Sequence, residues 1–286
     1  MAQFVDRVEQ WLPHAKAARA AGKTIPALPA TPNQRVNHQA PAMLYNGMVH
    51  ALVPFALRGA IWYQGESNNG EGMLYLERMR ALIAGWRAVW KRPLSFYYVQ
   101  LAPYRYGRAN PENLPGLWEA QTAALSIPGT GMAGTVDIGN VRDIHPRNKK
   151  DVGERLALWA LAKDYGQKGL VCCGPIYKGM TVQGAAVRLS FDHVGGGLAS
   201  RDGKPLTCFT VAGKDGKFLP AEAKIEAATG SEAADTVVVS CQAVPAPVAV
   251  RFAWTDTSEP NLCNKEGLPA SPFRTGDPSA EKPAGP

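Results

Sequence analysis

The sequence predicts an α/β fold, with a parallel sheet flanked by helices, followed by a small antiparallel β-sandwich. Short apolar strands alternate with helical patterns between residues 57 and 165, which is typical of a parallel sheet covered on both faces. Helical patterns cease at about residue 171, and short β-rich runs separated by glycine-containing turns follow. At 286 residues the chain is long enough for one large domain or two ordinary ones.

Each element of the first part has its own pattern. The predicted helices, in which apolar residues recur every three or four positions, are 3–21, 43–52, 73–90, 115–125 and 150–165. The predicted strands, which are short apolar runs, are 57–63, 94–101 and 131–138. Residues 23–41 are rich in proline and form an irregular connector. Pro93 ends the third helix and Gly166 ends the fifth, since these residue types stop a helix.

The second part is predicted to be all β-structure. Its β-rich runs are 181–182, 186–191, 209–212, 236–240 and 248–254. Turn sequences such as Asp202-Gly203 and Asp215-Gly216 separate them, as in an antiparallel sandwich. We therefore expect an α/β domain at 1–170, a β-rich domain at 171–275 and a disordered polar tail at 276–286.

Charge and hydropathy exclude several classes of function. The net charge is +7, but the basic residues are scattered, so nucleic-acid binding is not expected. No run of about 18 apolar residues occurs, so no membrane span is expected. The N-terminus has no apolar signal core, which predicts a cytoplasmic protein as the chain stands. The five cysteines match no zinc spacing and are expected to be free buried thiols, with one disulfide in the C-terminal part as the alternative.

A polar turn follows the strand predicted at 57–63. The turn reads Gln64-Gly65-Glu66-Ser67-Asn68, and its serine is the first in the chain. Asp143 and His145 come later, just before a predicted helix. Open α/β sheets bind ligands at the carboxyl ends of their strands, and an acid–histidine pair serving a hydroxyl nucleophile is typical of hydrolases. The sequence thus predicts a hydrolytic site made from these two segments.

The catalytic candidates have roles that ester hydrolysis requires. We expect His145 to act as general base and Asp143 to orient its imidazole, with Asp137 as a weaker alternative acid. A histidine bonded to local backbone and an aspartate that only caps the helix are the structural alternatives. Ser67 is the candidate nucleophile because no better-placed serine exists. Its alternative, which the turn pattern favours, is hydrogen bonding within the turn.

Other polar residues of the turn are candidates for binding the substrate. Gln64, Gly65 and Asn68 could donate to a developing oxyanion, or could simply satisfy the backbone of the turn. Glu66 could position the loop or contact a sugar, and the alternative is a solvated carboxylate. Outside the turn, Arg35, Tyr104 and Trp118 could line a sugar cleft, although core packing is the safer interpretation for the tryptophan.

Several segments together resemble the sialate O-acetylesterase-like proteins of the SGNH hydrolase superfamily. They are Leu44–Met48, Ile61–Asn68, Asp143–Lys149, Phe191–Leu198 and Asn264–Arg274. The resemblance implies an SGNH, flavodoxin-like domain, incomplete in this chain, with an associated β-rich domain. It implies hydrolysis of acetyl esters, typically on sugars, with no metal and no organic cofactor. Proteins of this family are often exported.

One block of the family has no counterpart in this sequence. In the family, the nucleophilic serine lies in a Gly-Gln-Ser-Asn-Met-like block near the start of the hydrolase domain, and no such block occurs here. We expect a serine-type carboxylic ester hydrolase for acetylated sugars or small acyl esters, in which Ser67 is the nucleophile if the chain works alone. The alternatives are a serine from another polypeptide, a homo-oligomer that covers the incomplete sheet, and a non-catalytic fragment or carbohydrate-binding module.

Overall fold

The computed structural model describes residues 2–29, 40–53, 55–107, 110–228 and 235–276. The predicted tail at 276–286 lies outside the described residues except for Gly276. The chain divides between Ala56 and Leu57 into two compact units. The division predicted at residue 170 is a different one and stays a prediction.

The first unit is helical where helices are predicted. Helix α1 spans Ala2–Ala20, and the indole N–H of Trp11 on this helix donates to the carbonyl of Pro26 at 3.0 Å. A π-helical turn at Tyr45–Val49 continues into a 3-10 turn at His50–Leu52. Few side chains of this unit are removed from solvent, and of its described residues Ala15 alone is buried.

The second unit begins with the predicted α/β layer. Its elements are β1 (Gly59–Trp62), α2 (Leu74–Trp90), β2 (Ser95–Val99), α3 (Asn113–Ala123), β3 (Thr130–Ala133) and α4 (Lys149–Lys163). The three strands are parallel and lie in the order β1-β2-β3. Strand β1 therefore forms one edge of the sheet, and β2 is the central strand.

Strand β2 is buried on both faces because helices cover each side of it. Phe96 and Tyr98 pack against α2 and α3, whereas Tyr97 and Val99 pack against α4. This explains why β2 reads as a continuous apolar run without alternation. The strand predicted at 131–138 is shorter than expected, since β3 ends at Ala133 and the chain turns at 136–138.

The rest of the unit is antiparallel β-structure, as predicted. Its strands are β4 (Ile176–Gln183), β5 (Ala186–Asp192), β6 (Leu198–Ser200), β7 (Phe209–Ala212), β8 (Leu219–Pro220), β9 (Glu222–Glu226), β10 (Thr236–Ser240), β11 (Ala249–Phe252), β12 (Leu262–Asn264) and β13 (Phe273–Arg274). The sheets have the orders β4-β5-β10-β9 and β13-β11-β7-β8, with β12-β6 as a separate pair. Side chains of both larger sheets share one core, which makes a sandwich. The predicted fold class is confirmed.

A close backbone contact joins the α/β layer to the sandwich. A Cβ atom placed on Gly174 would lie 2.0 Å from the carbonyl oxygen of Pro269, so no side chain fits there. Beside it, the amide of Asn264 donates to the carbonyl of Cys173 at 3.1 Å, and the N–H of Ser271 donates to the carbonyl of Pro175 at 3.0 Å. Residues 264–271, part of a segment that carries the family resemblance, therefore form this joint.

Two ion pairs also connect the α/β layer with the sandwich. Arg251 of β11 contacts Glu112 at 2.8 Å, just before helix α3. Arg274 of β13 contacts Glu119 of helix α3 at 3.1 Å.

Elsewhere in the fold, the five cysteines are free thiols. No helix in the described part of the chain has the length and apolar character needed to span a bilayer.

Candidate functional site

The turn after β1 has a backbone conformation that only glycine adopts readily. Gly65 is buried and has a φ of 149°, and a Cβ atom there would lie 3.1 Å from the side chain of Leu101. A short 3-10 turn at Glu66–Asn68 follows. The hydroxyl of Tyr75 on helix α2 donates to the carbonyl of Gln64 at 3.0 Å. The close packing of Gly65 against Leu101 and the bond from Tyr75 thus hold the turn in place. The turn lies at the carboxyl end of a parallel strand, where α/β folds bind their ligands.

The amides of Gln64 and Asn68 belong to one hydrogen-bond network. The Gln64 amide donates to Asn68 Oδ1 at 2.7 Å, and the Asn68 amide donates to Glu71 Oε2 at 3.0 Å. Two nitrogens of Arg78 donate to the carboxylate of Glu71, at 2.6 and 2.9 Å. The bonds from Arg78 and Asn68 lower the pKa of Glu71. Each of the two side-chain amides therefore donates one N–H within this network and has a second N–H.

The N–H of Gly65 holds a negatively charged oxygen in this structure. It donates to Glu66 Oε2 at 3.0 Å. The Glu66 carboxylate thus occupies the backbone donor that sequence reasoning assigns to an oxyanion, so the donor does bind an anionic oxygen. Tyr63, beside it, has its pKa raised by burial and, to a smaller extent, by the charge of Glu66.

Ser67 lies in the same turn but faces solvent. Its side chain is exposed in the 3-10 turn, and no described residue makes a hydrogen bond to its hydroxyl. The structure therefore neither ties this hydroxyl to the turn, as the structural alternative proposed, nor bonds it to an imidazole.

The loop after β3 carries the predicted acid and base. Asp143 Oδ1 accepts the backbone N–H of His145 at 2.9 Å, which is a local turn rather than a bond to the imidazole. The His145 side chain is exposed, and none of the described residues bonds to its ring. Asn148 then caps helix α4 by accepting the N–H of Asp151 at 3.2 Å. The loop is thus anchored at its helix end, while the imidazole is exposed to solvent.

Asp137, the alternative acid, is committed to a different partner. Arg155 of helix α4 binds both of its carboxylate oxygens at 2.7 Å and also donates to the carbonyl of Gly134 at 2.6 Å. The side chains of Asp137 and Arg155 are 4% and 10% exposed. This buried pair fixes the chain just after β3, so its geometry is that of a structural contact.

The turn after β1 and the loop after β3 meet at one small cavity. Glu66 and Tyr63 line it from the turn, and Asp143, Ile144 and Pro146 line it from the loop. Its volume is about 10 Å³, which is room for about one water molecule. Ser67 and His145 flank these lining residues in sequence without lining the cavity themselves. The structure therefore brings the two segments together but leaves the two reactive side chains outside the cavity.

Aromatic residues that sequence reasoning largely missed also line the cavity. Tyr104 and Tyr106 line it, with their rings edge to face and the centroids 4.9 Å apart. The Lys149 ammonium lies 4.5 Å from the centre of the Tyr63 ring. Of these, only Tyr104 was a candidate. The segment 102–107 has no regular structure, so no periodic pattern marks its side chains as converging on the cavity.

Trp118, a second candidate for a sugar cleft, does not join this site. Trp118 is fully buried, and its indole N–H donates to the carbonyl of Leu101 at 2.6 Å, so it packs in the core. Gln121 accepts the N–H of Leu101 and donates to the carbonyl of Val99, which holds the end of β2 against helix α3. Arg35 lies outside the described residues. In the described ranges, no three His, Cys, Asp or Glu side chains are grouped as metal ligands.

Comparisons with known proteins identify relatives of the chain. The sialate O-acetylesterase of Rattus norvegicus is 32% identical over 260 residues, which is 81% of this chain and 46% of that protein. The sialate O-acetylesterase of Homo sapiens is 30% identical over 258 residues, 81% of this chain and 48% of that protein. This chain therefore spans about half the length of the curated relatives it matches. No protein-family model matches the sequence.

A solved structure agrees with these relatives. The crystal structure of XAC1771, a carbohydrate acetylesterase from Xanthomonas citri, superposes with a TM-score of 0.77 at 43% sequence identity. The match covers 83% of this chain and 55% of that one. The two proteins therefore share a fold over most of the present chain.

Proposed function

Because this chain is a sialate O-acetylesterase-like protein of the SGNH hydrolase superfamily, we propose that it is a carboxylic ester hydrolase that removes acetyl or other short acyl groups from sugars. The observation that supports this most directly is the meeting of the turn after β1 with the loop after β3. Glu66 and Asp143 line one cavity, at the strand ends where α/β enzymes bind substrates. The relatives, which are named for acetyl ester hydrolysis on sialate and on carbohydrate, support the choice of substrate class.

In the proposed reaction, Ser67 attacks the acyl carbon. His145 accepts the hydroxyl proton as the new C–O bond forms, and later returns a proton to the departing sugar oxygen. The acyl-serine is then hydrolysed by a water that gives its proton to the same imidazole. The carboxylic acid leaves and the serine hydroxyl is restored, so the cycle needs no cofactor. A serine donated by another polypeptide is the alternative nucleophile.

The contacts around these groups leave the donors and acceptors that such roles require. Asp143 uses Oδ1 for the backbone of its own loop, so Oδ2 can accept the ring N–H of His145. The second amide N–H of Gln64 and of Asn68 is available to the tetrahedral oxyanion. The N–H of Gly65, which now holds the Glu66 carboxylate, becomes a third donor when that side chain turns away.

Hydrolysis of p-nitrophenyl acetate by the purified protein tests the proposal. Ser67→Ala and His145→Ala are each expected to lower kcat about a hundredfold or more, because each removes a group that the reaction uses. Ser126→Ala and His14→Ala are matched controls, since Ser126 also lies in a 3-10 turn and both side chains are exposed. Loss in His145→Ala alone would contradict the assignment of Ser67 and point to another nucleophile.

A carbohydrate-binding module without turnover is the second candidate. It is favoured by the exposed Ser67 hydroxyl, to which no imidazole of the described residues is bonded. The same assay separates the two functions. A protein that retains acetylated sugars on an affinity matrix but hydrolyses neither them nor p-nitrophenyl acetate would be a binding module.

We also propose that copies of the chain associate through the open edge of the parallel sheet. Strand β1 pairs with β2 on one side, and its Ile61 side chain is 73% exposed. An unpaired edge with an exposed apolar side chain favours association. Light scattering across a dilution series tests this, and a monomer at every concentration would contradict it.

A further inference from the structure

A second, larger cavity lies between helix α3 and the β-sandwich. Its volume is about 220 Å³. The residues that matter for its chemistry are Glu119, Thr122, Ala123, Tyr177, Phe273 and Arg274. The first three come from α3, and the others from β4 and β13. The cavity is therefore a feature of the junction between the two layers.

This cavity is separate from the candidate hydrolytic site. The two cavities have no described lining residue in common. Helix α3 follows β2 and leads back to the start of the parallel strand β3, so it runs antiparallel to the sheet. Its last turn, which carries Thr122 and Ala123, therefore lies towards the amino ends of the strands. The hydrolytic site lies at their carboxyl ends.

One wall of the cavity is flat and aromatic. The rings of Tyr177 and Phe273 are stacked, with an interplanar angle of 7° and centroids 4.6 Å apart. Burial raises the pKa of Tyr177, so its phenol stays protonated and can donate a hydrogen bond. Phe273 is buried beneath, in the core of the sandwich, which holds the tyrosine ring in place.

Other residues that line the cavity carry polar groups held by hydrogen bonds. The guanidinium of Arg274 donates to both carboxylate oxygens of Glu119, at 3.1 and 3.2 Å. The side chain of Glu119 is 19% exposed, so its carboxylate oxygens keep lone pairs for further donors. The hydroxyl of Thr122 accepts the amide of Gln100 at 3.0 Å, which leaves its own proton to donate. These lining residues thus offer a carboxylate and a hydroxyl.

We propose that this cavity is a second binding site for a single neutral pyranose ring. A pyranose has an apolar C–H face, which suits the ring of Tyr177, and a rim of hydroxyls, which suits the Glu119 carboxylate and the Thr122 hydroxyl. Pockets for drug-sized ligands measure about 300 to 1,000 Å³, so a cavity of about 220 Å³ fits one ring rather than a chain. The choice of a sugar also rests on the proposed function, because a glycan that carries the ester contains such rings.

The test measures sugar binding and ester hydrolysis separately on the same variants. The probes are unacetylated methyl pyranosides of glucose, galactose and xylose, titrated by calorimetry and by NMR of the protein. Ala123→Phe fills the cavity from helix α3 and is expected to weaken binding of the favoured probe at least about tenfold. Ala84→Phe, the same change at an exposed position of α2, is the control and should bind like the wild type.

Glu119→Gln is a second variant that keeps the shape of the cavity. It removes the charge that pairs with Arg274 and is expected to weaken binding severalfold while a melting curve shows that the protein is folded. If Ala123→Phe does not fold, this variant decides the result. The inference is overturned if the wild type binds none of the probes, or if the folded variants bind them as the wild type does.

The esterase assay keeps this inference apart from the proposed function. Neither variant touches the candidate hydrolytic site, so hydrolysis of p-nitrophenyl acetate should be unchanged in both. If no form of the protein hydrolyses that ester, yet Ala123→Phe loses the pyranoside, the proposed function fails and the sugar site is supported.

Discussion

The sandwich and the parallel sheet differ in how completely each covers its own apolar surface. In the sandwich, Val187, Val237 and Phe252 come from strands of both sheets and are fully buried in one shared core. In the parallel sheet, β2 is buried but the edge strand β1 leaves Ile61 73% exposed. The sandwich therefore forms a closed core from its own strands, whereas β1 pairs on one side only among the described strands. The candidate hydrolytic site lies beside this edge strand.

This difference predicts where substitutions destabilise the protein. Phe252→Ala is expected to lower the free energy of unfolding by about 3–5 kcal/mol, because it leaves a hole in the closed core. Ile61→Ala should change it by no more than about 0.5 kcal/mol, since the side chain is already exposed. Urea denaturation measures both. A large loss for Ile61→Ala would show that the edge of β1 is covered in solution, which would favour an association between copies.

A second comparison concerns two aspartates in the loop after β3. Asp137→Asn breaks the buried pair with Arg155 and should destabilise the fold by about 3–5 kcal/mol. Asp143→Asn removes a carboxylate that faces the small cavity and should lower ester hydrolysis with little change in stability. Urea denaturation of both variants measures the change in stability, and the p-nitrophenyl acetate assay measures the change in ester hydrolysis. Equal stability losses would contradict this division of roles.

The smallest expected effect lies in a turn of the sandwich and depends on pH. Hydrogen bonds, first from the amide of Asn261 and then from the backbone N–H of Lys204, lower the pKa of Asp202 from 3.8 to about 2. A lowered carboxyl pKa stabilises the fold above pH 3.8 and loses that contribution as the pH falls towards 2. Asp202→Asn should therefore flatten the stability curve in this range. Denaturation at several acidic pH values measures it, and an unchanged slope would contradict the assignment.

Much of the fold could be predicted because its signals are local. The run at 186–191 alternates half-buried and buried positions, residues 237–240 alternate buried and half-buried positions, and the helix at 73–90 has a clear apolar face. Strand β9, Glu222–Glu226, was missed because only two of its five residues are apolar and the other three are charged. Strands β6, β8, β12 and β13 have only two or three residues each, too few for a periodic pattern.

For the candidate site, the sequence predicted which segments meet but not which side chains contact each other. Parallel strands end at the same edge, so the turn at 64–68 and the loop at 143–150 could be expected to approach each other. The bond from the His145 backbone to Asp143 depends on the exact path of the loop, which no spacing reveals. The pairing of Asp137 with Arg155 joins residues far apart in sequence, and the tyrosines of segment 102–107 converge without any repeat. These contacts need the tertiary structure.

The contact between Gly174 and Pro269 limits which chimeras of this protein can fold. Because the two backbones touch, neither segment can be replaced independently of the other. A chimera that combined this parallel layer with the sandwich of a relative would need both segments from one parent. Chimeras that take both segments from one parent should express as folded protein. Chimeras that take one segment from each parent should aggregate.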